Sequence, residues 1–437
     1  MPHSLTVRQA RLVLPDRVAT GDVVVEDGII TYVGPQAPRS AGEIIDGTHL
    51  VCLPGVIDAH VHFRDPGFPQ KEDLASGSAA AAAGGVTAFL DMPNTDPPCV
   101  TAARLDEKFA LAAEKSVVHY GFFVGTNGDD LNALHDAVGR AVGVKVFMGS
   151  STGPLLCDDP AKLNALFAEI DAPFAVHAED EARLKERKLQ FAGTSDPADH
   201  PRIRDEETAL RATRFAVDLA QRHGRRLHVP HVSSAAEADF LASVPRDRVT
   251  AETCPQYLFL SADDYERQGT RIVCNPPVRE KRHQEALWKH LRAGTFDCVA
   301  TDHAPHTLDD KAKGYPKAPS GMPGVEWMLP LFANEVANGR ITWPEVARWL
   351  CEGPARAHRI LRKGRLEVGY DGDLVLLDPD AIKTIEDGKT FTKVGWSPYA
   401  GRTLRGWPVL TVVLGNPVFR DGGIVAGSRG RPLTFAR

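Results

Sequence analysis

The sequence predicts an α/β protein, a (β/α)8 TIM barrel with a small β-sandwich built from both chain ends. Three observations lead there. The two ends of the 437-residue chain alternate apolar and polar positions at a period of two, as half-buried strands do. The long middle alternates short apolar runs with amphipathic stretches, the pattern of a parallel sheet covered by helices. Eight such strand candidates fall within about 300 residues, the size of one barrel.

At the amino end, Leu5-Thr-Val-Arg8 and Asp22-Val-Val-Val-Glu26 suit strands. Asp27-Gly28 before Ile29–Val33 suits a hairpin turn, which needs residues that accept positive φ. Residues 1–53 are assigned to the sandwich and 54–362 to the barrel. The barrel strands are expected at Val56–Phe63, Val86–Met92, Val118–Val124, Val144–Met148, Phe174–Ala178, Leu227–Val232, Val249–Thr253 and Cys298–Thr301. Helices are expected over Thr101–Lys115, Ile203–His223 and Lys281–Leu291, and Ala79–Ala83 also suits a helix. Residues 363–437 return to strand texture in Gly372–Asp378, Val409–Leu414 and Pro417–Val425, which completes the sandwich.

Composition narrows the function. Lys plus Arg number 51 and Asp plus Glu 57, a net charge of −6 with no basic run, so no nucleic-acid partner is expected. No apolar run is long enough to cross a bilayer, and the start Met1-Pro-His-Ser-Leu-Thr-Val-Arg8 lacks the basic and apolar parts of a signal peptide. A soluble, cytoplasmic protein without a membrane partner is therefore expected. The seven cysteines are scattered and form no C-x-x-C pair, poor material for a disulfide framework or a Cys-ligated zinc.

His60 and His62 stand two apart on the first strand candidate, so a period of two puts both on one face, the interior of a barrel. Barrel active sites lie at the carboxyl ends of the strands, where two neutral imidazoles can share a cation. A lone H-x-H is more often a buried or surface histidine pair than a metal site. However, further ligand types end other strands: His177 after Phe174-Ala-Val, His231 after Leu227-His-Val-Pro, and Asp302 after Cys298-Val-Ala-Thr. Burial with hydrogen bonds accounts for each singly, but not for their sharing one rim. His228 lies deeper in its strand and is taken as structural. Lys145, inside the apolar run Val144–Met148, would suffer heavy desolvation as an unpaired ammonium. Pairing, a lowered pKa or chemical modification would each relieve it, and the residues leave all three open.

Asp58-Ala-His-Val-His-Phe-Arg-Asp-Pro-Gly67, Asp91-Met-Pro-Asn-Thr95, Lys145–Gly153, Asn275-Pro-Pro-Val-Arg279 and Thr301-Asp-His-Ala-Pro-His306 resemble the dihydroorotases of the amidohydrolase superfamily. Gly364–Val375 resembles the stretch where that superfamily re-enters its β-domain, so the resemblance spans nearly the whole chain. It implies two zinc ions, one held by His60, His62 and Asp302 and the other by His177 and His231, bridged by a carboxylated Lys145 and a hydroxide. Some relatives use an aspartate from the loop after the lysine strand, but Gly149-Ser-Ser-Thr-Gly153 has no acidic residue.

The implied reaction is the reversible cyclisation of N-carbamoyl-L-aspartate to L-dihydroorotate in pyrimidine synthesis. The zinc-bound hydroxide would attack, with Asp302 as general acid and base. His62, Arg64, Asn94, Asn275, His306 and the backbone at Ser320-Gly321 are implied as substrate contacts. Arg64 stands two beyond His62 on the same face and offers a planar fork to a carboxylate. Asn94 and Asn275 also suit turns, and Arg279 suits a loop anchor. The polar, Gly- and Pro-rich segment 309–324 is either a mobile cover or an inert surface excursion. Two other readings compete: an allantoinase or hydantoinase, whose ring substrate gives Arg64 no carboxylate, and a catalytically dead scaffold for aspartate transcarbamoylase, which would have lost ligands. A homodimer and an association with aspartate transcarbamoylase are open to such a chain.

Overall fold

The computed structural model describes residues 4–151 and 153–436; Met1–His3, part of the start discussed above, and Thr152, in the loop after Lys145, lie outside the described residues. Eight parallel strand positions form the barrel wall. In order they are Val56–Val61, Val86–Asp91, the pair His119–Phe122 and Val124–Thr126, Val144–Phe147, Phe174–His177, Leu227–Val229, Val249–Thr253 and Cys298–Val299. The wall closes where Val61 bridges His303 in parallel and the His62 amide donates to the His303 carbonyl at 2.8 Å.

Two strand expectations change in detail, for backbone reasons. The third strand breaks at Phe123, whose amide donates to Asp91 while the Val124 amide donates to Gly143, so the chain passes from one neighbour to the next. The eighth is regular only over Cys298–Val299, because the Thr301 amide turns to the Asp58 carboxylate at 3.0 Å. The helix expected over Ile203–His223 runs over Glu206–Arg222. Asp205 caps it by accepting from the Thr208 amide, and Arg204 separates it from the short turn His200–Ile203.

Both chain ends meet in one nine-stranded sheet. Val51–Pro54 pairs antiparallel with Leu374–Thr384 and parallel with Leu5–Val13, which stitches the carboxyl-terminal strands to the amino-terminal ones. This sheet has its own apolar core, including Leu5, Val7, Val23, Leu374, Leu376 and Val412. The Asp27-Gly28 turn joins Val18–Glu26 to Ile29–Gly34 with φ of 52° and 81°, the positive pair that a two-residue hairpin requires. Among the described residues no helix is long and apolar enough to cross a membrane.

Candidate active site

The strand ends bring nearly all the expected residues to one cavity. His60, His62, Arg64, Asn94, Lys145, His177, His231, Asn275, Asp302 and Gly321 all line it, with Ser320 beside them. His306 does not line it. It is buried behind the wall, with Nε2 3.3 Å from Arg64 Nη2 and 3.1 Å from the Ser320 carbonyl. His228 also faces away, its ring nitrogens 2.9 Å from Thr250 Oγ1 and 3.0 Å from Glu252 Oε2.

The imidazoles are oriented by acceptors on their outer sides. His60 Nδ1 donates to Glu252 Oε1 at 2.9 Å and His62 Nδ1 donates to Asn94 Oδ1 at 2.6 Å. Their Nε2 atoms are thereby left as lone-pair donors towards the centre, 3.4 and 3.0 Å from Asp302 Oδ1. His177 is turned the other way: Nε2 donates to Glu179 Oε2 at 2.8 Å, and Nδ1 lies 3.3 Å from His231 Nε2. Burial, and next the charge of Lys145, holds His60 and His231 well below the ordinary histidine value. Burial likewise lowers His62 and His177, against the pull of Asp302 and Glu179. Neutral imidazoles are the form that binds metal.

Lys145 lies between these groups with no exposed surface, and its Nζ has no hydrogen-bond partner. Desolvation brings it down to about 8, although Asp302 and Glu252 pull the other way. A buried amine without a hydrogen bond is costly on its own and is relieved if the nitrogen carries an anion that cations can share. The residues therefore fit metal: lone-pair nitrogens converge from two sides, the donor atoms of His60, His62 and Asp302 lie within 4.8 Å of one another, and an orphaned amine stands between.

The backbone is strained here. Arg64, His231 and Asp302 have φ of 62°, 43° and 49°, a region that residues other than glycine seldom occupy. Arg64 thus leaves the strand after Val61, and it reaches the cavity by this turn and not by continued alternation. Gly321, at φ 132°, packs so close to Ala304 that a Cβ would lie 2.4 Å from the Ala304 carbonyl oxygen, so only glycine brings this backbone to the cavity. The segment 309–324 is tied down at the site: Lys311 Nζ donates to the Val273 and Pro319 carbonyls at 3.1 and 2.8 Å.

Sequence reasoning passed over the supports. Glu252 serves both His60 and His228. Burial opposes the charge of Glu179, yet its ion pair with Arg204 and its bond from His177 hold it at about 2. Asp58 accepts from the amides of His60 and Thr301 and so fixes the turn into Asp302. His200 Nε2 lies 3.0 Å from Asn275 Oδ1 and orients that amide. Glu252 did carry a signal, since it sits inside an apolar strand as Lys145 does; His200 carried none, because its loop returns from a distant part of the chain.

Comparison with known proteins agrees with this geometry. The model of the Amidohydrolase family matches residues 51–418. A dihydroorotase of Halobacterium salinarum is 38% identical, covering 94% of this chain and 98% of its own. An allantoinase of Rubrobacter xylanophilus is 35% identical over 94% of this chain and 93% of its own. The solved structure of an L-hydantoinase (dihydropyrimidinase) from Arthrobacter aurescens superposes with a TM-score of 0.93 at 31% identity, over 99% of this chain and all of that one. The solved relatives carry the barrel and the terminal sheet, the donors converge at the strand ends, and the family model spans most of the length: the chain belongs to the amidohydrolase family.

Proposed function

We propose that this protein is a dihydroorotase, interconverting N-carbamoyl-L-aspartate and L-dihydroorotate. The observation that carries the choice is Arg64. The residue is 3% exposed, and desolvation lowers its guanidinium to about 10. Its Nε has no hydrogen-bond partner, and among the described residues no carboxylate lies within ion-pair distance of it. A buried fork of this kind is completed by a carboxylate on the ligand, which dihydroorotate has and allantoin lacks.

In this reading His60, His62 and Asp302 would hold one zinc ion and His177 and His231 a second, with Lys145, carboxylated, serving both; the pair would supply Lewis-acid polarisation and a water of lowered pKa. The chain's own residues do the rest. Arg64 binds the substrate carboxylate, and Asn94 and Asn275 on the same wall orient the ring. The Asp302 carboxylate takes the proton from the attacking water and returns it to the leaving ring nitrogen; in the synthetic direction it takes the ureido proton. Glu252 and Glu179 hold the imidazoles in the tautomers that leave the inner nitrogens free. The same reading takes in a cytoplasmic enzyme, as a homodimer or with aspartate transcarbamoylase; light scattering on the chain, alone and mixed with that enzyme, checks the assembly.

The test is hydrolysis of dihydroorotate with and without chelator, with allantoin and dihydrouracil in parallel. We expect chelator-sensitive turnover of dihydroorotate; metal-dependent turnover of allantoin with none of dihydroorotate would sink the assignment and favour the allantoinase reading. Arg64→Met should lower kcat/KM for dihydroorotate by about 10- to 100-fold, the worth of a charged bidentate contact, chiefly through KM. An unchanged kcat/KM would remove Arg64 from the carboxylate pocket.

A further inference from the structure

The other end of the barrel holds a second cleft, of about 860 Å³, within the range of roughly 300–1,000 Å³ typical of small-molecule sites. Val142, Pro173, Arg226 and Arg248 line it, each just before a barrel strand, so it opens at the amino ends of the strands while the histidines stand at the carboxyl ends. Residues 432–436 form one side.

Its charge is one-sided. Among the described residues Arg140, Arg225, Arg226, Arg248 and Arg359 line the cleft against a single carboxylate, Asp171. Asp171 is taken by Arg225 at 2.8 Å, and Arg140 pairs with Asp106. That leaves Arg226 and Arg359 with no carboxylate among the described residues, while Arg248 meets only the exposed Asp247, at 3.9 Å. Arg226 donates to the Ala357 carbonyl at 2.9 Å and Arg248 to the Gly224 carbonyl at 2.7 Å, contacts that fix direction without neutralising charge. Arg226 is half-buried; burial and the like charge of Arg359 both disfavour its ionisation, and no carboxylate among the described residues relieves it. His358 also lines the cleft, 9% exposed, and its Nε2 has no hydrogen-bond partner. The walls between these polar groups are apolar, notably Pro173 and Phe435.

We propose that this cleft binds a phosphate monoester joined through a sugar to a planar ring, the chemistry of a nucleoside monophosphate. The phosphate sits against Arg226, Arg248 and Arg359, and the ring lies between Pro173 and Phe435 within reach of His358. A dianion matches several converging guanidinium forks better than a single carboxylate does, and the apolar walls favour a ring over a free ion. The reading is independent of the reaction at the other end of the barrel.

Isothermal titration of the full-length, zinc-loaded protein tests it with four probes: AMP, UMP, uridine and inorganic phosphate. We expect at least one monophosphate to bind with Kd below about 1 mM, and uridine and phosphate each to bind at least about tenfold more weakly. Arg226→Met with Arg359→Met should weaken nucleotide binding by about tenfold or more while leaving dihydroorotate turnover unchanged. Arg248→Gln, at an exposed position, should weaken it in the same direction and serves if the double variant fails to fold. Three results would each overturn the proposal: no binding of either nucleotide at roughly millimolar concentration, affinity untouched by these substitutions, or phosphate alone binding as tightly as the nucleotide.

Discussion

In a Lys145→Met variant purified with excess zinc, we expect at most one tightly held metal ion per chain and a fall in kcat of about 10³-fold or more. That fall is the several kcal/mol of charge stabilisation that paired cations supply. The expectation comes from the position of the amine. Lys145 is wholly buried, its Nζ has no hydrogen bond, and donors from two groups of strands face it. Methionine keeps most of the volume and removes the amine, with a thioether sulfur in place of a methylene.

The same substitution should not harm the metal-free fold. The native amine is brought down to about 8 from 10.5, so the unfolded chain binds more protons between those values and stability rises with pH across that window. Below about pH 8 the buried amine is a full burden, and above 10.5 the burden is gone. Chelated Lys145→Met should therefore melt at or above the wild type near pH 7, and its advantage should fade as the pH approaches 10.5. Two tightly held metals with native activity would remove the lysine bridge. A clearly lower melting temperature at neutral pH would show instead that the amine supports the fold.

The barrel was legible because its strands are short apolar runs whose period and spacing depend only on local sequence, as in Val144–Phe147 and Phe174–His177. The ligand set was legible because a charged or basic residue ending an apolar strand stands out against it. What period and spacing cannot supply is a turn that leaves the strand. Arg64 reaches the cavity through a positive φ, and His306 ends up behind the wall although its motif runs directly on from Asp302. The supports escaped for a related reason. Glu179 is held by Arg204 and Asn275 by His200, contacts that join segments 25 and 75 residues apart, set by packing and not by local pattern. The arginine cleft is of the same kind, assembled from loops that precede four different strands.

Asp302→Asn should leave metal content close to native and lower kcat by about 10²- to 10⁴-fold with little change in KM, the usual worth of a positioned proton carrier. Asparagine is the informative replacement for two reasons. It keeps an oxygen where Oδ1 now faces His62 Nε2 at 3.0 Å and His60 Nε2 at 3.4 Å. It is also among the few residues that tolerate a φ of 49°, so the turn after Cys298–Val299 is preserved, as it would not be with a β-branched residue. What is lost is the ability to accept a proton. Substrate affinity, set by Arg64, should stay. Metal analysis separates the two roles of Asp302: a variant that loses one ion reports a ligand, and one that keeps both yet turns over slowly reports a base. If both metals are retained and kcat lies within tenfold of native, the proton is carried elsewhere.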